Sequence, residues 1–188
     1  MQKDVIIGLM IGLKRNTVRL EEHQAEWSGL FEAEAALLRV RLVGMTAGIE
    51  HVGSTAVPGL PAKPILDIAV AVSSKEAIPR IGQILVGIGY IDRGDGGNDG
   101  GYLFVKESVP DIRTIHLHIV ESTDIQWRDY CGFRDLLRRD IAVRREYAGL
   151  KQTLAERYPG DRKAYTEGKS DYIRRILKDR QPDRATNP

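Results

Sequence analysis

The run Leu66-Asp-Ile-Ala-Val-Ala-Val72 constrains the fold most, because it places seven residues of buried strand around a single charge. Side chains alternate across a strand, so Leu66, Ile68, Val70 and Val72 share one face, and Asp67, Ala69 and Ala71 share the other. A carboxylate in such a setting is costly unless it is paired or holds a metal. Asp67 is therefore the first candidate for chemistry.

Upstream, Ile49-Glu-His-Val52 reads as a second strand that runs into Gly53-Ser54-Thr55. Glycine permits a tight turn and close backbone approach. The residues after it offer free N–H groups and hydroxyls to an anion, so Gly53, Ser54 and Thr55 form a candidate phosphate cradle. Pro58, Gly59, Pro61 and Pro64 fix the path of the loop between the strands, and Lys63 stands four residues before Asp67, within reach of a phosphate. Further on, Ile112-Arg-Thr-Ile-His-Leu-His-Ile-Val120 reads as another strand, with His116, His118 and Val120 on one face. If this strand neighbours the Asp67 strand, the carboxylate and both imidazoles converge on a metal or acid–base site.

The block Glu50-His-Val-Gly-Ser-Thr-Ala-Val-Pro-Gly-Leu60, with Ala62-Lys-Pro-Ile-Leu-Asp67, His116-Leu-His118 and Phe133-Arg-Asp-Leu-Leu-Arg138, resembles the GrpB family of the nucleotidyltransferase superfamily. The resemblance covers roughly residues 10 to 177. It implies a nucleotidyltransferase-like fold and transfer of a nucleoside monophosphate from an NTP to a small acceptor, with a divalent metal, Mg²⁺ or Mn²⁺, as cofactor. Ser54 would then hold a phosphate, Asp67 the metal, and His116 or His118 a second ligand or general base.

One position departs from the superfamily pattern. Where a second carboxylate of Asp-x-Asp is expected the chain has Ala69, which binds nothing. A histidine ligand, His118 in particular, would favour Mn²⁺ or Zn²⁺ over Mg²⁺, which prefers oxygen. Two further readings stay open: a nucleotide- or phosphometabolite-binding module with weakened catalysis, and a metal-dependent hydrolase built on His116 and His118. Glu50 and His51 fall on opposite strand faces, so at most one joins the site. A P-loop and a Gly-x-Ser-x-Gly nucleophile elbow are both absent.

The net charge of +2 does not announce a nucleic-acid or membrane partner, and no segment reaches 18 consecutive apolar residues. With one cysteine, Cys131, no internal disulfide forms, and a reducing cytoplasm is the expected compartment. Val5-Ile-Ile-Gly-Leu-Met-Ile-Gly-Leu13 lacks a small-residue cleavage site, and the family-like pattern begins near Met10, so residues 1–9 are expected to be an upstream extension.

The rest of the chain predicts one α+β (mixed α/β) domain over residues 1–180, a mixed sheet covered by helices. Thr17–Leu20 is expected as a short edge strand. A helix over about 24–43 would bury Trp27, Leu30, Phe31, Ala35, Leu37, Leu38 and Leu42. A second helix over about 75–88 would bury Ile78, Ile81, Leu85 and Ile88. The glycine-rich tract 93–101 predicts a hairpin or mobile loop before the strand Tyr102–Lys106. Residues 123–180 predict a helical part broken at Tyr158-Pro-Gly160, and 181–188 a frayed tail. From Trp127 to Arg180 there are fifteen Lys/Arg against nine Asp/Glu, and Arg134, Arg138 and Lys151 are candidates for phosphate contacts.

Overall fold

A computed structural model describes residues 11–95 and 101–180. The expectations for residues 1–9, for the core of the glycine-rich tract and for the 181–188 tail lie outside them. The architecture is a six-stranded mixed sheet with helices on both faces. The strands are β1 (Leu13–Lys14), β2 (Gly48–Val52), β3 (Leu66–Val72), β4 (Tyr90–Asp95), β5 (Tyr102–Val109) and β6 (Ile112–Glu121). The five helices are α1 (Glu26–Arg41), α2 (Ile78–Gly87), α3 (Ile125–Arg139), α4 (Ile141–Arg157) and α5 (Arg162–Arg180).

The strand order is β2-β3-β6-β5-β4, with β1 pairing the start of β6. β3 is antiparallel to β2 and parallel to β6. As a central strand it is covered on both sides, which explains why it is apolar in both alternation phases. Its Leu66, Ile68, Val70 and Val72 join Ile115, Leu117 and Ile119 of β6 in the main core, beneath α1 and α2. Trp27, Phe31, Ala35 and Leu38 recur at helical spacing on α1 and bury there, while Leu37 stays half-exposed. α2 is preceded by a 3₁₀ turn at Lys75–Ala77, and Ile78, Ile81 and Leu85 face inward.

The opposite face of the sheet carries α3, α4 and α5, which share a second core of Val57, Leu60, Leu136, Leu137, Val143, Tyr147, Tyr172 and Ile176. The periodicity of the helical part shows one break, at Tyr158-Pro-Gly160, but the structure has a second at Asp140. Its backbone is extended (φ −110°, ψ 103°), and its carboxylate accepts from the amides of Ala142 and Val143, capping α4 as α3 ends. Thr17–Leu20 forms no strand. Val18 instead donates its amide to Pro159 and Glu21 bridges Ala62, so side contacts to the α4–α5 turn and the site loop replace sheet pairing. The short edge strand is β1, whose Leu13 and Lys14 pair with Arg113 and Ile112 of β6.

Candidate functional site

The site is built where β2 and β3 meet, on the sheet face that carries α3–α5. Gly53 ends β2 with φ 70° and ψ −169°, a conformation reserved for glycine. A Cβ there would lie 2.9 Å from Asp67 Cβ and Cγ and would overlap Oδ2. Residue 53 is glycine because its backbone lies against the Asp67 carboxylate. The following Ser54–Ala56 form a 3₁₀ turn.

Across the sheet, the parallel register of β3 and β6 sets Asp67 beside His116 and Ala69 beside His118. His116 Nδ1 lies 3.0 Å from Asp67 Oδ1, and Arg162 Nη2 from α5 lies 2.6 Å from His116 Nε2. Arginine only donates, so Nε2 accepts and the imidazole proton sits on Nδ1, where it is donated to Asp67. Burial lowers the His116 pKa to about 4, against the raising effect of Asp67. His116 is thus neutral near pH 7 and links a guanidinium to a carboxylate. Burial opposes ionisation of Asp67 in turn, but the His116 hydrogen bond, the two imidazoles and Lys63 outweigh it and hold the carboxyl well below the usual range.

His118 is on the same face, its ring centroid 6.4 Å from that of His116. It packs against Tyr130 of α3, whose hydroxyl is 3.3 Å from His118 Nδ1.

Lysines dominate the remaining wall. Lys151 of α4 is 1% exposed and donates to Ser54 Oγ at 3.0 Å and to the Pro61 carbonyl. Burial, then the neighbouring Lys169 and Lys63, push its ammonium well below the ordinary range. Lys63 and Lys169 both lie over the ring of Tyr165, at 5.0 and 4.6 Å from its centroid. Burial and the charges of Lys169 and Arg162 lower Lys63 to about 7; burial, with Arg162 opposing Asp67, lowers Lys169 to about 8.

The structure therefore brings together Gly53, Ser54, Lys63, Asp67, His116 and His118. Thr55 is not brought to them. It is buried, and its hydroxyl is 3.0 Å from Nε2 of His51, whose ring stacks on Phe31 of α1 on the other side of the sheet. Glu50, on the site face, is held by Arg134 at 2.5 Å, and Arg134 also donates to the His51 carbonyl at 3.0 Å. Arg138 donates to the Ala56 carbonyl at 2.8 and 2.9 Å, so both arginines brace the turn rather than face a ligand. Arg162, Tyr165 and Lys169 were not among the sequence candidates. Their spacing of i, i+3 and i+7 places them on one helix face, which is the signal that marks them.

The donor set fits a metal poorly. Among the described residues Asp67 is the single carboxylate at the centre, and both nitrogens of His116 are engaged by Asp67 and Arg162. Among the described residues no group of three His, Cys, Asp or Glu side chains could hold an ion. The two-metal arrangement, with His118 as the replacement ligand for Ala69, finds no third donor here. A groove beside α2, lined by Ile78, Pro79, Gly82, Gln83, Val86, Asp92 and Tyr102, lies on the opposite face and touches none of these groups.

Residues 17–179 match the family described as GrpB protein. The glutamate-rich protein GrpB of Alkalihalophilus pseudofirmus is 34% identical over 171 residues, covering 89% of this chain and 98% of that protein. A UPF0157 protein of Pseudomonas aeruginosa is 43% identical over 153 residues, or 80% of this chain, which spans 62% of that longer relative. The crystal structure of the conserved protein GrpB from Enterococcus faecalis superposes with a TM-score of 0.77 at 34% identity, covering 86% of this chain and 96% of that one. A family match across nearly the whole chain, relatives of this identity and a shared fold lead to one conclusion: the chain belongs to the GrpB family.

Proposed function

We propose that this GrpB-family chain binds a nucleotide, or another phosphorylated metabolite, through its phosphates, at a site whose transfer chemistry is weakened. One observation carries the reading: Arg162 meets His116, which holds Asp67, while Lys151 donates to Ser54 and Lys63 and Lys169 converge on the Tyr165 ring, so cations crowd the site around Asp67. Crowded ammonium groups repel one another, and burial adds to the cost. An oligophosphate relieves both. Gly53 lies against Asp67, and the Ser54 hydroxyl accepts from Lys151.

A second reading, nucleotidyl transfer from an NTP to a small acceptor, is favoured by one feature. Asp67 stays ionised directly against the glycine turn. Against it stand Ala69 and, among the described residues, the lack of a second carboxylate at the centre. The hydrolase reading on His116 and His118 loses its support, since His116 is committed to Asp67 and Arg162.

Calorimetry with the four common NTPs, with and without Mn²⁺, tests binding; pyrophosphate release from the same mixtures tests transfer. Saturable binding without release is expected. No heat at millimolar ligand would remove both nucleotide readings, and acceptor-dependent pyrophosphate release would promote the second.

A further inference from the structure

We propose that Lys63, Lys169 and Arg162 form an oligophosphate subsite that works without a divalent ion, their charges standing where a metal would otherwise neutralise the ligand. The inference rests on the phosphate-binding reading above and adds to it which residues hold the charge and how.

Three observations support it independently of one another. First, the Arg162 guanidinium spends Nη2 on a neutral imidazole, while its Nη1 is buried with no hydrogen-bond partner. A buried donor in that condition is expensive, and a ligand oxygen is the group that would satisfy it. Second, among the described residues neither Lys63 nor Lys169 has a salt-bridge partner, and the contact that each shows is to the Tyr165 ring. A ring face attracts an ammonium but takes no proton from it, so the N–H groups remain available to oxygen acceptors. Third, Asp67 is engaged by His116, and among the described residues no group of three His, Cys, Asp or Glu side chains could recruit a metal there. Arginine and lysine differ in what they add: the planar guanidinium can bind two phosphate oxygens at once, and the ammonium groups act as movable point charges.

The charge pattern also sets the ligand class. Three cations around one carboxylate suit an anion carrying several charges, such as a di- or triphosphate, better than a single phosphate. The depressed values of Lys63, about 7, and Lys169, about 8, fit cations that regain their protons when such an anion arrives.

The test uses the full chain in EDTA, with sodium tripolyphosphate and ATP as separate probes, followed by calorimetry. Both are expected to bind without metal, and Lys169→Met is expected to weaken tripolyphosphate at least tenfold at a melting temperature no lower than the parent's. Lys63→Met is the second variant, should Lys169→Met not fold, and carries the same expectation. Binding that appears only when Mn²⁺ is supplied would overturn the subsite while leaving the nucleotide reading intact. Tripolyphosphate binding in EDTA without any ATP binding would keep the subsite and remove the nucleotide. Parent-like affinity in the folded lysine variants would overturn the assignment of these residues.

Discussion

Replacing Gly53 by alanine should be among the most damaging single-methyl additions in this protein, and its cost can be divided between two causes. The backbone at φ 70°, ψ −169° lies in a region that non-glycine residues occupy at about 1–3 kcal/mol. The new methyl would also sit 2.9 Å from Asp67 Cβ and Cγ. Moving the carboxylate away strains or breaks its 3.0 Å hydrogen bond with His116, an interaction with a charged group worth about 1.5–3 kcal/mol. Together the two predict a loss of about 2.5–6 kcal/mol in urea-induced unfolding. A double-mutant cycle separates them: in an Asp67→Gly background the clashing atoms are gone, and Gly53→Ala should cost only the backbone share. A loss below about 1 kcal/mol in the parent chain, or an equal loss in both backgrounds, would refute the close-approach argument.

Two further outcomes follow from the charged groups. Arg134→Met should cost about 1–2 kcal/mol by the same unfolding assay, chiefly because the His51 carbonyl loses its donor; Glu50 and Asp135 are 42% and 48% exposed and rehydrate easily. A neutral substitution would show that the brace across the turn adds nothing. For pH, Lys63 and Lys169 have folded values of about 7 and 8 against 10.5 for the ordinary side chain. Between these limits the unfolded chain binds more protons, so stability should rise as pH increases from 7 toward 10, by up to roughly 1.4 kcal/mol per pH unit for each lysine. Anion affinity should fall over the same window as the ammonium groups lose charge. Flat or falling stability from pH 7.5 to 9.5 would contradict the burial of charge at the site.

Local patterning made much of the frame legible. The apolar run at 66–72 has the bounds of β3, its alternation puts Asp67 and Ala69 on one face, and the Gly53-Ser54 turn follows β2 as its sequence suggests. Strand alternation likewise separates Glu50 from His51, and helical spacing identifies Trp27, Phe31, Ala35 and Leu38 as core. The motif block carried the family resemblance, because that loop must pass close to Asp67 and tolerates few alternatives at Gly53. Periodicity, however, reports which face a side chain occupies and not which element lies opposite it. That β6 returns parallel beside β3, aligning Asp67 with His116, was conditional on a pairing between residues 49 positions apart. The same limit applied to α5: Arg162, Tyr165 and Lys169 share a helix face that any amphipathic helix could turn to solvent. The tertiary packing of α5 against α3 and α4, with Arg162 reaching His116, turned these charges inward, and the burial and mutual repulsion that mark them as a site exist only after that packing has formed.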